Sequence, residues 1–145
     1  MSGIVVGIDG SHNASRALDW AMAEASLRAA DLTVVTVNSV PAGYWTGQPV
    51  PLAGDAERVA EARKLAEDAV AKIAAGLGER QPASVTVTAL SGFPAKTLID
   101  MSEQADLLVV GTRGSGGFAA LALGSICSQV VHHSHCPVVV VPDHR

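Results

Sequence analysis

The residues whose types and spacing carry the clearest chemistry are Gly111-Thr112-Arg113-Gly114, followed nine residues later by Gly124-Ser125. They come directly after the apolar run Leu107-Leu108-Val109-Val110. Glycines at such a point expose successive backbone N–H groups without a Cβ in the way, which makes a nest for an anion. Gly124-Ser125 then opens a helical stretch whose first N–H groups have no intrahelical acceptor and favour negative charge. The Ser125 hydroxyl can donate to a phosphate oxygen. No Asp or Glu occurs from Leu107 to Pro142, so nothing acidic in that stretch repels an anion. Arg113 is the one strong cation beside the loop, placed either to reach phosphates or to face solvent.

A second constellation is Val6-Gly7-Ile8-Asp9-Gly10-Ser11. Asp9 there can hold a divalent metal that bridges phosphates, or hydrogen-bond a ribose. Taken alone, Asp before Gly is as well explained by an Asx turn or a helix cap. Other glycine-loop chemistries fit less well. A Walker-type loop needs Gly-Lys-Ser/Thr, and no lysine here follows a glycine. Gly114-Ser115-Gly116-Gly117-Phe118-Ala119 matches a dinucleotide fingerprint, but it follows the fourth apolar run and no acidic residue lies about 20 residues beyond it. The remaining alternative is a Gly/Ser loop that holds nothing.

The elements that must position these groups alternate in kind. Short β-branched runs occur at 4–8, 32–37, 85–88, 107–110 and 138–141, with Ala-rich stretches of helical spacing between them. Strands separated by helices predict βαβ units and an α/β fold. That fold is a five-stranded, mainly parallel sheet with helices on both faces. One helix is predicted from about Ala14 to Ala30, capped by Ser11 or Asn13. A second begins at a capping Asp55, presents Val59, Ala62, Ala66, Ala69, Ile73 and Leu77 on one face, and ends at Gly76 and Gly78. A third follows Pro94. A fourth starts near Gly124-Ser125 and stops before Cys136-Pro137. Pro41–Gly54 is a long Pro- and Gly-rich connection carrying Tyr44 and Trp45, open between a flap or subunit contact and a surface excursion.

The composition agrees with this outline and removes several function classes. The chain has 145 residues, 48% hydrophobic but only 3% aromatic, so its core must rest on aliphatic side chains. A length of that order predicts a single domain over residues 1–145. With a net charge of −4 and no basic stripe, a dedicated nucleic-acid binder is not expected. Residues 114–142 carry no charged Asp, Glu, Lys or Arg, but Ser, Gln, His and Pro interrupt them, which argues against a membrane span. Met1-Ser2-Gly3 has no basic leader pattern, and Cys127 and Cys136 give no disulfide framework, so a reducing cytoplasm is expected.

Over essentially its whole length the chain resembles the ATP-binding universal stress proteins. The resemblance rests on the G-x2-G-x9-G-[S/T] pattern at Gly111, Gly114, Gly124 and Ser125, on the opening strand ending in Asp9, and on Cys136-Pro137 before a valine strand. It implies a Rossmann-like, adenine nucleotide alpha hydrolase-like sheet in the order 3-2-1-4-5. It implies adenine held by backbone groups at Val37, with Ile8 and Asp9 by the ribose and phosphates. Val110 and Gly111 would flank sugar and base, and Arg113, Gly114, Gly124, Ser125, Ile126 and Cys127 match positions around the phosphates. Arg113 and Cys127 fall at variable positions of the pattern. The implied ligand is ATP or another adenine nucleotide, with Mg2+ or Mn2+ reached through the phosphates at Asp9. The implied assembly is a homodimer through Val138–Val141. A flat valine edge would otherwise need masking, for example by Asp143-His144-Arg145.

This points to a nucleotide-binding stress-response or regulatory protein. Three alternatives stay open: a cAMP binder on the same scaffold, a slow ATPase, and a ligand-free dimeric interaction module. No G-x-S-x-G elbow, Ser-His-Asp set or dedicated base is visible, so at most slow ATP hydrolysis is expected. His132, His133 and His135 beside Cys136 suggest either a metal site or favourable charge at a helix C-terminus. Cys127 reads either as a thiol activated by a helix N-terminus or as an inert buried one.

Overall fold

The computed structural model describes residues 3–9, 12–112 and 124–142. Its elements alternate as the apolar runs require: β1 (Ile4–Ile8), α1 (His12–Arg28), β2 (Asp31–Ser39), α2 (Asp55–Leu77), β3 (Ser84–Gly92), α3 (Pro94–Ser102), β4 (Leu107–Gly111), α4 (Ser125–His133) and β5 (Val138–Val141). The strands form one sheet in the order β3-β2-β1-β4-β5, and every pairing is parallel.

Two apolar layers cover the sheet because successive strand side chains point to opposite faces. Ile4, Val6, Leu32, Val34, Leu107 and Val109 meet Leu18 and Met22 of α1 and half-buried Ile73 and Leu77 of α2. Val5, Val35, Leu108 and Val110 face the other way, against Leu98 of α3 and Cys127 and Val130 of α4. The predicted apolar face of α2 turns inward: Ala66 is buried, and Val59, Ala62, Ala69, Ile73 and Leu77 are half-buried. Lys64 and Asp68 pair along it at 3.8 Å.

Several boundaries differ from expectation. Asp55 is the first residue of α2 rather than its cap; the cap position belongs to Gly54 at φ 82°, a conformation that suits glycine. The Asp55 carboxylate instead accepts a 2.6 Å hydrogen bond from the Asn38 side chain at the end of β2. Gly76 lies inside α2, and Gly78, at φ 77°, alone ends it. Asn13 falls inside α1, which begins at His12, and Ser11 is outside the described residues. β2 and β3 run on to Ser39 and Gly92 because their ladder continues through Asn38↔Ser91 and Ser39↔Gly92, polar pairs that carry no β-branched signal. Among the described residues, no helix is long and apolar enough to cross a membrane.

Candidate functional site

β1 is the strand at which the order reverses: β2 follows it on one side and β4 flanks it on the other. Open α/β sheets bind ligands outside the carboxyl ends of strands at such a switch point. The register shows a physical opening there. β1 pairs with β2 through Ile8↔Thr36, but its ladder with β4 stops at Val6↔Val109, although β4 runs on to Gly111. Beyond that last pair the two strands part. Gly7, Ile8 and Asp9 stand on one lip, and Val110 and Gly111 on the other.

The space between them is a cleft of about 580 Å³, counted to its open mouth. Val35 and Val37 of β2, Pro94 and Leu98 of α3, and Ile126 and Cys127 of α4 complete its walls. The lining is largely apolar, with Asp9 exposed at the rim. The apolar lining with one acidic group at its rim suits a small organic ligand. Close approach of α3 shapes the floor. A Cβ on Gly7 would lie 2.7 Å from Leu98 Cδ1 and 3.1 Å from Cδ2, so only glycine lets Leu98 sit where it does.

One end of the cleft is built from a helix start. Thr112 N–H donates to the Val141 carbonyl at 3.2 Å, and Gly124 N–H donates to the Thr112 carbonyl at 2.7 Å. The chain that leaves β4 at Thr112 thus returns to Thr112 before entering α4. Intrahelical bonding starts at Ser128 N–H to the Gly124 carbonyl, 2.9 Å. The amides of Ser125, Ile126 and Cys127 precede it, so they are the donors a helix leaves without intrahelical acceptors. Gly124 makes the turn at φ −66°, ψ 161°, which any residue can adopt. Glycine there is therefore not required by the backbone. The Ser125 hydroxyl accepts a 3.2 Å hydrogen bond from Gln129.

Of the residues singled out in the sequence, Ile8, Asp9, Val37, Val110, Gly111, Ile126 and Cys127 line this one cleft. Gly124 and Ser125 stand at the turn just before Ile126. Arg113 and Gly114 lie outside the described residues, as do Gly10, the Ser115–Ala119 fingerprint match and the Asp143-His144-Arg145 tail. Gly7, part of the second constellation, also lines the cleft, and Val35, Pro94 and Leu98 line it without having been singled out. Pro94 was visible only as a helix start, and a buried leucine on a short helix has no signature beyond its apolar spacing.

Cys127 is 3% exposed, and burial pushes its thiol up from the ordinary range, against the helix-start effect that would lower it. Its part in the site is as an apolar wall. The histidine cluster does not converge. His132 Nδ1 lies 2.8 Å from the Ser128 carbonyl, and His135 Nε2 lies 3.6 Å from Glu103. Among the described residues, no group of three His, Cys, Asp or Glu could hold a metal ion.

The universal stress protein family model matches residues 1–142. The chain belongs to that family. It is 36% identical over 141 residues to the universal stress protein Rv2623 of Mycobacterium tuberculosis, covering 97% of this chain and 48% of that one. The chain thus spans about half the length of the curated relatives it matches. Among solved structures, it resembles a universal stress protein in complex with cAMP, at a TM-score of 0.65 and 23% identity over 98% of this chain and 96% of that one. It also resembles the universal stress protein of Archaeoglobus fulgidus in complex with dAMP, at 0.63 and 23% over 97% and 98%. At that identity the likeness is one of fold.

Proposed function

We propose that this cleft binds an adenine nucleotide, with ATP as the ligand, and that residues 1–145 act as one nucleotide-binding regulatory unit of stress response. The observation that carries the reading is the parting of β1 and β4 above Val6↔Val109, which opens an apolar slot directly in front of the uncapped start of α4. A slot of that kind suits a flat base at its apolar end and an anion at its amide end. The adenine nucleotides held by two proteins of the same fold, cAMP in one and dAMP in the other, support the same class of ligand.

In this reading the base lies against Val37 and Val110, with Ile8 and Gly111 at the sugar. Asp9 faces the ribose, or contributes a carboxylate oxygen to Mg2+ or Mn2+ held mainly by phosphates, the usual share a protein takes in such a site. The phosphates meet the amides of Ser125, Ile126 and Cys127, and we assign Arg113 and Gly114 to the same anion. A homodimer joined at β5, in the cytoplasm, is the assembly we assign to it. Binding is the role we assign to the cleft, with at most slow ATP hydrolysis.

Isothermal titration with ATP, AMP and cAMP, beside mass spectrometry of nucleotide co-purifying with the native protein, tests this. ATP should bind more tightly than AMP or cAMP, because only it fills the phosphate end. Tighter cAMP would transfer the site to a cyclic nucleotide, and absence of any binding would overturn the reading. Gly124→Val keeps an ordinary backbone conformation but adds a branched side chain at the helix start. It should lower ATP affinity at least tenfold, the cost of about 1.4 kcal/mol, with the far-UV spectrum unchanged.

A further inference from the structure

β3 is one edge of the sheet, and its nine residues make it as long as any strand in the molecule. A long edge strand offers its outward N–H and C=O groups to any added strand. One side chain occupies that offer. Arg63 of α2 donates from one guanidinium nitrogen to the Val87 carbonyl at 3.0 Å and from the other to the Ala89 carbonyl at 3.4 Å.

The parity of these two carbonyls matters. Peptide groups alternate in direction along a strand, so carbonyls two residues apart point to the same side. The Gly92 carbonyl accepts from Val40 N–H at the end of β2, 3.2 Å, and Val87 and Ala89 have the opposite parity, so their carbonyls face away from β2. They are successive acceptors that a strand laid along β3 would use. The planar, two-pronged head of arginine spans both, which the single ammonium of a lysine does not.

The other edge differs. β5 carries four half-buried valines, and its own bonds run inward: Pro137 and Val141 carbonyls accept from Leu108 and Thr112 on the β4 side. We propose that Arg63 guards the β3 edge against strand addition by a second copy of this chain. The guard works by prior occupation of acceptors. It costs the fold nothing it needs, since the β2–β3 ladder uses the opposite peptide groups.

The proposal does not depend on nucleotide binding or on whether β5 dimerises. Removing the guard adds one usable edge to whatever the native protein already has. Arg63→Ala should therefore raise the mass measured by light scattering at least twofold over the native protein at the same concentration. Arg63→Met keeps an unbranched apolar stem along α2 but removes both donors, and it should do the same even if the alanine variant folds poorly. In the larger species the Val87 and Ala89 amides should exchange with solvent at least tenfold more slowly than in the native protein, because the added strand now covers them. An unchanged mass in a variant with a native far-UV spectrum would overturn the proposal. So would a larger species whose new protection falls elsewhere than β3.

Discussion

Gly7 shows how one missing side chain shapes the site. It sits in β1 where that strand parts from β4, and Leu98 of α3 fills the space its Cβ would take. Leu98 is 4% exposed, belongs to the core between α3 and the sheet, and also forms the cleft wall. A methyl group on Gly7 must therefore displace Leu98, and the open direction is into the cleft. Gly7→Ala should cost about 1–3 kcal/mol of stability as over-packing. It should also weaken nucleotide binding roughly tenfold by narrowing the slot. Trimming the neighbour, in Gly7→Ala with Leu98→Val, should restore much of the affinity, because the two changes share one contact and cannot add independently. Calorimetric titration of the single and double variants checks this; additive losses would show that the methyl acts elsewhere.

At the scale of the elements, the long connection from β2 to α2 can be separated from the rest by its own bonds. Val50 N–H meets the Pro41 carbonyl at 2.9 Å, Gly47 N–H meets the Gly43 carbonyl at 3.0 Å, and Ala42 and Pro49 form an isolated antiparallel bridge. The segment is thus a small self-closed turn. It holds Tyr44 and Trp45 edge to face at 4.8 Å and leaves them 89% and 90% exposed. Because its ends already meet, replacing residues 43–48 by a two-residue turn should change stability by less than about 1 kcal/mol in a denaturant melt. Nucleotide affinity and light-scattering mass of the same variant decide among the readings of this segment: lost affinity marks a flap, a lower mass marks a subunit contact, and no change in either marks an excursion. Its sequence showed Pro, Gly and two aromatics but not the bridge, because such a closure depends on backbone pairing that no residue type announces. The strands and helices were legible for the opposite reason. Ile4-Val5-Val6, Leu107–Val110 and the α2 face carry their burial in their own spacing. The ends of β2 and β3 were not legible, since Asn38, Ser39 and Ser91 are held by register alone. Neither was the parting of β1 from β4. Apolar residues line both strands up to and past Val6↔Val109, so the opening is a property of the pairing and not of either string of residues.

The whole molecule is a sheet whose two edges are finished differently, and this sets what it can assemble into. β3 is long and its outward acceptors at Val87 and Ala89 are occupied by Arg63. β5 is short, and its parity can be read from two bonds. The Pro137 and Val141 carbonyls point to β4, so the peptide groups of Val138 and Val140 point outward. Pairing of β5 with its copy across a two-fold axis would satisfy those groups and bury half-exposed valines from both chains. Val140→Pro removes one outward N–H while leaving the inward ladder to β4 in place, a position where an edge strand tolerates proline. Val139→Pro removes an inward one and breaks the ladder. If the chain dimerises through β5, Val140→Pro should be a folded monomer by light scattering at concentrations where the native protein is a dimer. Val139→Pro should instead lose stability, by about 3 kcal/mol or more. A Val140→Pro variant that remains a dimer would place the contact on another surface. The guarded β3 edge could not supply it, so the helical faces would have to.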